Sequence, residues 1–104
     1  MKLVTAIISS QKLDEAREAL LEIGATGLTI SRIFGDAFER HGSRTDDCLF
    51  KLEILAAERL ADTIVESIIG ILGTEAADDA RILVFEPEQA VRIRTLEIGE
   101  EAVG

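Results

Sequence analysis

The sequence predicts an α+β fold in which a four-stranded antiparallel sheet carries two helices on one face. Three observations predict it. Two stretches each run from a strand-like segment through an amphipathic helix to another strand, the stretches are of similar length, and each opens on the same dipeptide, Lys2-Leu3 and Lys51-Leu52.

Lys2 to Ile8 is a short run rich in β-branched residues and reads as the first strand. Leu13, Ala16, Leu20 and Ile23 then recur at steps of three and four and form one apolar stripe, while Asp14, Glu15, Arg17, Glu18 and Glu22 fill the opposite face. That is a helix, entered at Ser9-Ser10 and stopped where Gly24 supplies a left-handed cap. Leu28 to Phe34 alternates apolar and polar side chains, as a strand with one buried face does. From Gly35 to Asp47 the periodicity disappears, which predicts a surface loop or a frayed hairpin tip. Phe50, Leu52 and Ile54 alternate with Lys51 and Glu53 in a third strand. Leu60, Ile64, Ile68 and Leu72, with Ala61 and Val65 beside them, make a second helix ending near Gly73. After the polar, acidic stretch Thr74 to Ala80, Ile82 to Phe85 is a compact fourth strand, and beyond Pro87 the segment Val91 to Thr95 reads as a short C-terminal strand. The order βαβ-βαβ is that of a ferredoxin-like domain, here one domain over residues 1–104. Helices on one face leave the other face to a partner, and self-association is the usual partner.

Composition narrows the function classes. With 20 Asp+Glu against 11 Lys+Arg, the formal net charge of −9 opposes nucleic-acid binding and docking on anionic lipid. The N-terminal apolar run is too short for a signal peptide and gives way at once to Ser9-Ser10-Gln11-Lys12. No stretch reaches the ~20 apolar residues that a membrane span needs. A single Cys forms no internal disulfide and fits a reducing compartment, so a soluble cytoplasmic protein is expected.

The clearest chemical signal is Val91-Arg92-Ile93-Arg94-Thr95. On a strand, residues two apart share a face, so Arg92 and Arg94 would point the same way while Val91 and Ile93 pack inward. Two parallel guanidinium groups suit a phosphorylated ligand, because arginine binds phosphate through paired N–H donors. The same spacing also describes a solvated strand face paired with glutamates on a neighbouring strand.

Catalysis has little support. His41 lies near Ser43, Asp46 and Asp47, but without the strand-turn-helix elbow that a catalytic serine needs. Cys48, at the start of a strand, reads as a small buried apolar residue. No CxxC, HExxH, GxGxxG or Walker motif occurs, so no catalytic residue and no enzyme activity are expected. A threefold assembly would bring three copies of His41 and Cys48 together, with Asp36, Glu39, Asp46 and Asp47 near them, yet a solvated acidic loop explains the same residues and no metal site is assigned. Thr74 to Asp79 lacks the spacing, the turn glycine and the terminal glutamate of a calcium loop.

Four blocks, taken in order, resemble the PII signalling family: Met1 to Ile8, Lys12 to Leu20, Gly24 to Ile30, and Val91 to Thr95. The resemblance runs from end to end and implies the fold already derived, assembled as a homotrimer with the sheets facing inward. It further implies that adenine nucleotide (ADP, AMP or ATP) lies between subunits as an effector. The matching positions are Ile7, Thr29, Gly35, Glu53, Leu55, Arg81, Arg92 and Arg94, the last two as a phosphate clamp. Members of the family use the nucleotide, often with 2-oxoglutarate, to set the shape of a long loop that docks on enzymes, transporters or transcription regulators.

The departures fall on the regulatory parts. The long loop is cut down to about Asp36 to Asp47, and with no Tyr in the chain there is no site for uridylylation. Ser9-Ser10 stands where the family has Lys-Pro, and Phe38-Glu39 where it has Arg-Gln. The glycine-rich pattern T-G-K-I-G-D-G-K becomes Thr74-Glu75-Ala76-Ala77-Asp78-Asp79-Ala80-Arg81, which removes close backbone approach and adds negative charge near a phosphate. The resulting expectation is a PII-like trimeric regulator that senses adenine nucleotide and controls a transporter or an enzyme of nitrogen or carbon metabolism. The alternative is a PII-like trimer without nucleotide, binding metal or a membrane transporter directly.

Overall fold

Alternating side chains along four strands decide which face of the sheet is buried. The structure is a computed structural model and describes residues 1–33, 49–73 and 81–103. Its strands are β1 (Lys2–Ser9), β2 (Leu28–Ile33), β3 (Leu49–Ala56) and β4 (Ile82–Phe85), and its helices are α1 (Ser10–Glu22) and α2 (Glu58–Leu72). The sheet order is β2-β3-β1-β4 with every neighbouring pair antiparallel.

Register places Val4 opposite Ile54 and Ala6 opposite Leu52 on β1 and β3, and Ile30 of β2 opposite Leu52. These residues face the helices. They meet Ala16 and Leu20 of α1 and Ala61, Ile64 and Ile68 of α2 in one core cluster. Each fully buried aliphatic side chain there contributes about 1.5–3 kcal/mol relative to exposure.

The helix ends follow the glycine signals. Gly24 follows the C-cap of α1 with φ 96°, and Gly73 caps α2 with φ 53°. Neither helix has a side-chain hydrogen bond at its N-cap, so the Ser9-Ser10 start signal places α1 without capping it.

No helix of the described residues lies on the opposite face. Three cross-strand rows form it: Leu55, Leu3 and Phe85; then Thr29, Glu53, Thr5 and Leu83; then Ser31, Lys51 and Ile7. Leu83 and Phe85 on the edge strand β4 stay roughly half exposed, as does Ile7.

The C-terminal segment differs from its sequence reading. Val91 to Thr95 is not a strand: it is one arm and the tip of a hairpin whose one ladder contact among the described residues is the bridge between Val91 and Ile98. Ile93 is 89% exposed and Val91 is also open to solvent, so neither packs inward. The tip residues Ile93-Arg94-Thr95-Leu96 include no Gly, Asn or Pro, and their apolar-polar alternation reads as a strand. The turn closes because Leu96 adopts the left-handed conformation, φ 61°, which usually falls to Gly or Asn. A short 3-10 helix, Gly99–Ala102, ends the described chain.

Candidate functional site

The uncovered sheet face gathers four of the eight site residues expected from sequence. Thr29 of β2 stands opposite Glu53 of β3, and Glu53 stands opposite Thr5 of β1. Ile7 lies one alternation along β1, opposite Lys51, and Leu55 lies one alternation the other way, opposite Leu3. Alternation alone puts these side chains on one face, because residues two apart on a strand point the same way. Arg81 immediately precedes β4, whose Ile82 is opposite Ala6, so it enters the sheet at the level of Ile7. Gly35, His41 and Cys48 lie outside the described residues, as do the loop Asp36 to Asp47 and the stretch Thr74 to Ala80.

Arg92 and Arg94 belong to a separate structure, the C-terminal hairpin. Its closing hydrogen bonds run from Gly99 N–H to the Ala90 carbonyl (2.9 Å), from Arg92 N–H to the Glu97 carbonyl (2.9 Å) and from Leu96 N–H to the Arg92 carbonyl (2.6 Å). Arg94 sits at the exposed tip. Arg92 turns back along the hairpin: its Nη2 donates to the Ala102 carbonyl at 3.0 Å, and its Nε lies 3.6 Å from Glu97 Oε1. That second distance is a charge contact and not a hydrogen bond, and Nε is a buried donor without a hydrogen-bond acceptor among the described residues.

The tail is fastened at a second point. Glu100 Oε1 lies 2.9 Å from the Met1 ammonium. That hydrogen bond and the ammonium charge hold the Glu100 carboxyl below its usual range against a smaller opposing effect of desolvation, with the Glu58 backbone N–H and the Arg59 charge acting the same way as the ammonium. A cavity of about 220 Å³ opens here between the tail residues Glu100 and Val103, the end of α1 at Gly24–Thr26, and Leu55.

Within one chain no hydrogen bond or ion pair among the described residues joins Arg92 or Arg94 to Ile7, Thr29 or Glu53. The described residues also contain no cluster of three or more His, Cys, Asp or Glu able to hold a metal ion, and no helix long and apolar enough to cross a membrane. Sequence reading missed Glu97 and Ala102 as the groups that meet Arg92. They become neighbours only when the chain reverses at Leu96, and five-residue spacing from Arg92 to Glu97 carries no signal on an assumed strand.

The sheet order, the two covering helices and the uncovered apolar-polar face define a ferredoxin-like α+β domain. The family model for Nitrogen regulatory protein P-II matches residues 1–97. A Nitrogen regulatory protein P-II of Rhodobacter capsulatus is 40% identical, covering 99% of this chain and all of the relative. Its counterpart in Klebsiella oxytoca and Nitrogen regulatory protein P-II 1 of Escherichia coli K12 are each 37% identical over the same shares. The chain belongs to the P-II family of signalling and regulatory proteins. The alignments span 114 positions against 104 residues here, so these relatives carry residues that this chain lacks.

Proposed function

We propose that this protein is a homotrimeric, cytoplasmic regulator that binds adenine nucleotide between subunits and passes its state to a partner transporter or enzyme. The observation that carries the reading is the Arg92 guanidinium, whose buried Nε lacks a hydrogen-bond acceptor among the described residues. A buried guanidinium donor without an acceptor is costly, and a phosphate oxygen satisfies it with a charge-assisted bond. Resemblance assigns the same residue, with Arg94, to phosphate.

The separation of the sheet group from the arginine hairpin supports a site completed by a second copy. So does the uncovered sheet face, where Leu83 and Phe85 remain half exposed on an unprotected edge strand. The base would lie against Ile7, Thr29, Glu53 and Leu55, with Gly35 and Arg81 completing the expected contacts. Regulation then requires the nucleotide to bind one conformation of the partner-binding segments more tightly than another, since equal affinity shifts nothing. A net charge of −9 per chain favours a partner with a basic docking face.

Titration calorimetry with ATP, ADP and AMP, beside a mass measurement by light scattering, tests the reading. Binding of at least one nucleotide at three sites per trimer is the expected result. Absence of heat for all three at millimolar concentration retires nucleotide sensing and leaves a regulator that acts through direct association.

A further inference from the structure

Arg92 already has two internal partners, a carboxylate and a carbonyl, and both come from the segment that follows it. Glu97 Oε1 stands 3.6 Å from Nε, and the Ala102 carbonyl accepts from Nη2 at 3.0 Å. A guanidinium presents its donors in one planar fork, so a phosphate that takes Nε and a terminal nitrogen together must displace both partners. We propose that Glu97 is a built-in competitor that sets the anion affinity of Arg92, with the C-terminal tail as the latch that keeps it in place. This inference rests on the reading of Arg92 as an anion-binding residue and adds to it how that residue is held in check.

Three features of the hairpin agree with a displaceable competitor. The Arg92–Glu97 contact is longer than a hydrogen bond, and both side chains are about two-fifths exposed (40% and 43%), so neither partner is deeply committed. Glu97 has a second partner: its Oε1 also accepts from the Thr95 hydroxyl at 2.7 Å. The turn is held by Leu96 at φ 61°, a conformation that a leucine adopts at some cost, so opening the hairpin releases strain. When an anion binds, the guanidinium leaves Ala102, Glu97 stays with Thr95, and the 3-10 helix Gly99–Ala102 loses one of its fastenings. Occupancy of Arg92 thereby reaches the tail and the cavity beside Leu55 without any change in the sheet.

Calorimetric titration of the full-length protein with ADP, and separately with pyrophosphate, tests this in the unmodified chain, in Glu97→Gln and in Glu101→Gln. The last variant removes the same charge from the same segment at a residue with no contact to Arg92 among the described residues. Glu97→Gln is expected to tighten binding about two- to fivefold, the range of an exposed ion pair, and Glu101→Gln to change it by less than that. Hydrogen exchange of Gly99–Val103 is expected to speed up on adding ADP. Equal affinity in all three proteins, or an equal gain in both variants, overturns the competitor while leaving nucleotide sensing intact. No ADP binding, but pyrophosphate binding that is tighter in Glu97→Gln alone, keeps the competitor and removes the nucleotide. No binding of either probe to any of the proteins overturns both.

Discussion

Thr29 and Glu53 stand directly opposite each other across β2 and β3, on the side of the sheet that neither α1 nor α2 covers. Glu53 makes no ion pair among the described residues, and Thr5 on its other side is nearly buried, so its carboxylate is left as an acceptor flanked by hydroxyls. An acceptor in that place suits an N–H donor of a nucleotide base. Replacing Glu53 by Ala is expected to weaken adenine nucleotide binding about tenfold, the loss of one charge-assisted hydrogen bond of roughly 1.5–3 kcal/mol. Thermal unfolding of the same variant should change by little. Lower stability with unaltered affinity would assign Glu53 to the sheet and not to the ligand.

The two arginines are expected to separate in their effects. Arg94 lies at the exposed hairpin tip and has no partner among the described residues, so Arg94→Ala removes only what the ligand gains from it. Arg92→Ala also leaves Glu97 without its cation and frees the Ala102 carbonyl. Both substitutions should lower nucleotide affinity by about tenfold or more, while only Arg92→Ala loosens the tail. Hydrogen exchange over Gly99–Val103 without ligand distinguishes them. Identical tail protection in the two variants would count against a fastening role for Arg92.

How far the sequence spoke for itself depended on the range of the interaction. All four sheet strands and both helices were legible, because local periodicity, with Gly24 and Gly73 as stops, decides them. Ile7, Thr29, Glu53 and Leu55 share a face for the same reason, since alternation needs no knowledge of the fold. The C-terminal hairpin was not legible. Its tip has strand-like alternation, its reversal depends on a leucine in a conformation that leucine seldom takes, and its contacts join Arg92 to residues five and ten positions away. The fastening of Glu100 to Met1 spans the length of the chain, and nothing local announces it.

Leu52 is expected to be the costliest position in the sheet to truncate. It is fully buried on β3, with Ala6 of β1 on one side and Ile30 of β2 on the other. Its neighbour Ala6 is too small to fill a vacated space. Leu52→Ala should destabilise the protein by about 2–5 kcal/mol, read from denaturant unfolding at a fixed protein concentration, since the proposed assembly would add to apparent stability. A loss under about 1 kcal/mol would mean that the helices close over the gap.

Acid should release the Glu100 end of the tail only below the ordinary glutamate range. The Glu100 carboxyl ionises below its ordinary value of 4.5, principally because the Met1 ammonium is hydrogen-bonded to it. A carboxyl with a lowered folded-state pKa stabilises the fold fully above its unfolded value, and that contribution disappears as pH falls through the lowered value. The Glu100–Met1 fastening is therefore fully present above the ordinary value of 4.5 and is lost only as pH falls on through the lowered value. Carboxyl chemical shifts followed through an acid titration should give Glu100 a midpoint below the ordinary glutamate value of 4.5. In Glu100→Gln the tail should be loose at every pH, with no step in its exchange over this range. A Glu100 midpoint at or above the ordinary value would show that the ammonium contact does not persist in solution.

The edge strand β4 offers the sharpest test of assembly. Leu83 shares the uncovered face with Thr5, Phe85 shares it with Leu3, and both remain nearly half exposed in the single chain. An unprotected edge carrying exposed apolar side chains invites pairing, and a closed ring of copies removes the exposure. Burying one leucine contributes about 1.5–3 kcal/mol, and a charge in its place would meet the same interface desolvated and unpaired. Leu83→Glu is therefore expected to convert the proposed trimer to single chains at micromolar concentration, seen as a threefold fall in mass by light scattering, with the far-ultraviolet spectrum retained. Leu21→Glu is the matched control: Leu21 is 57% exposed on α1, on the helical side, and its substitution should leave the mass unchanged. A trimer that survives Leu83→Glu but not Leu21→Glu would put the interface on the helices, and the arginine hairpin would then have to meet its ligand without help from a neighbouring sheet.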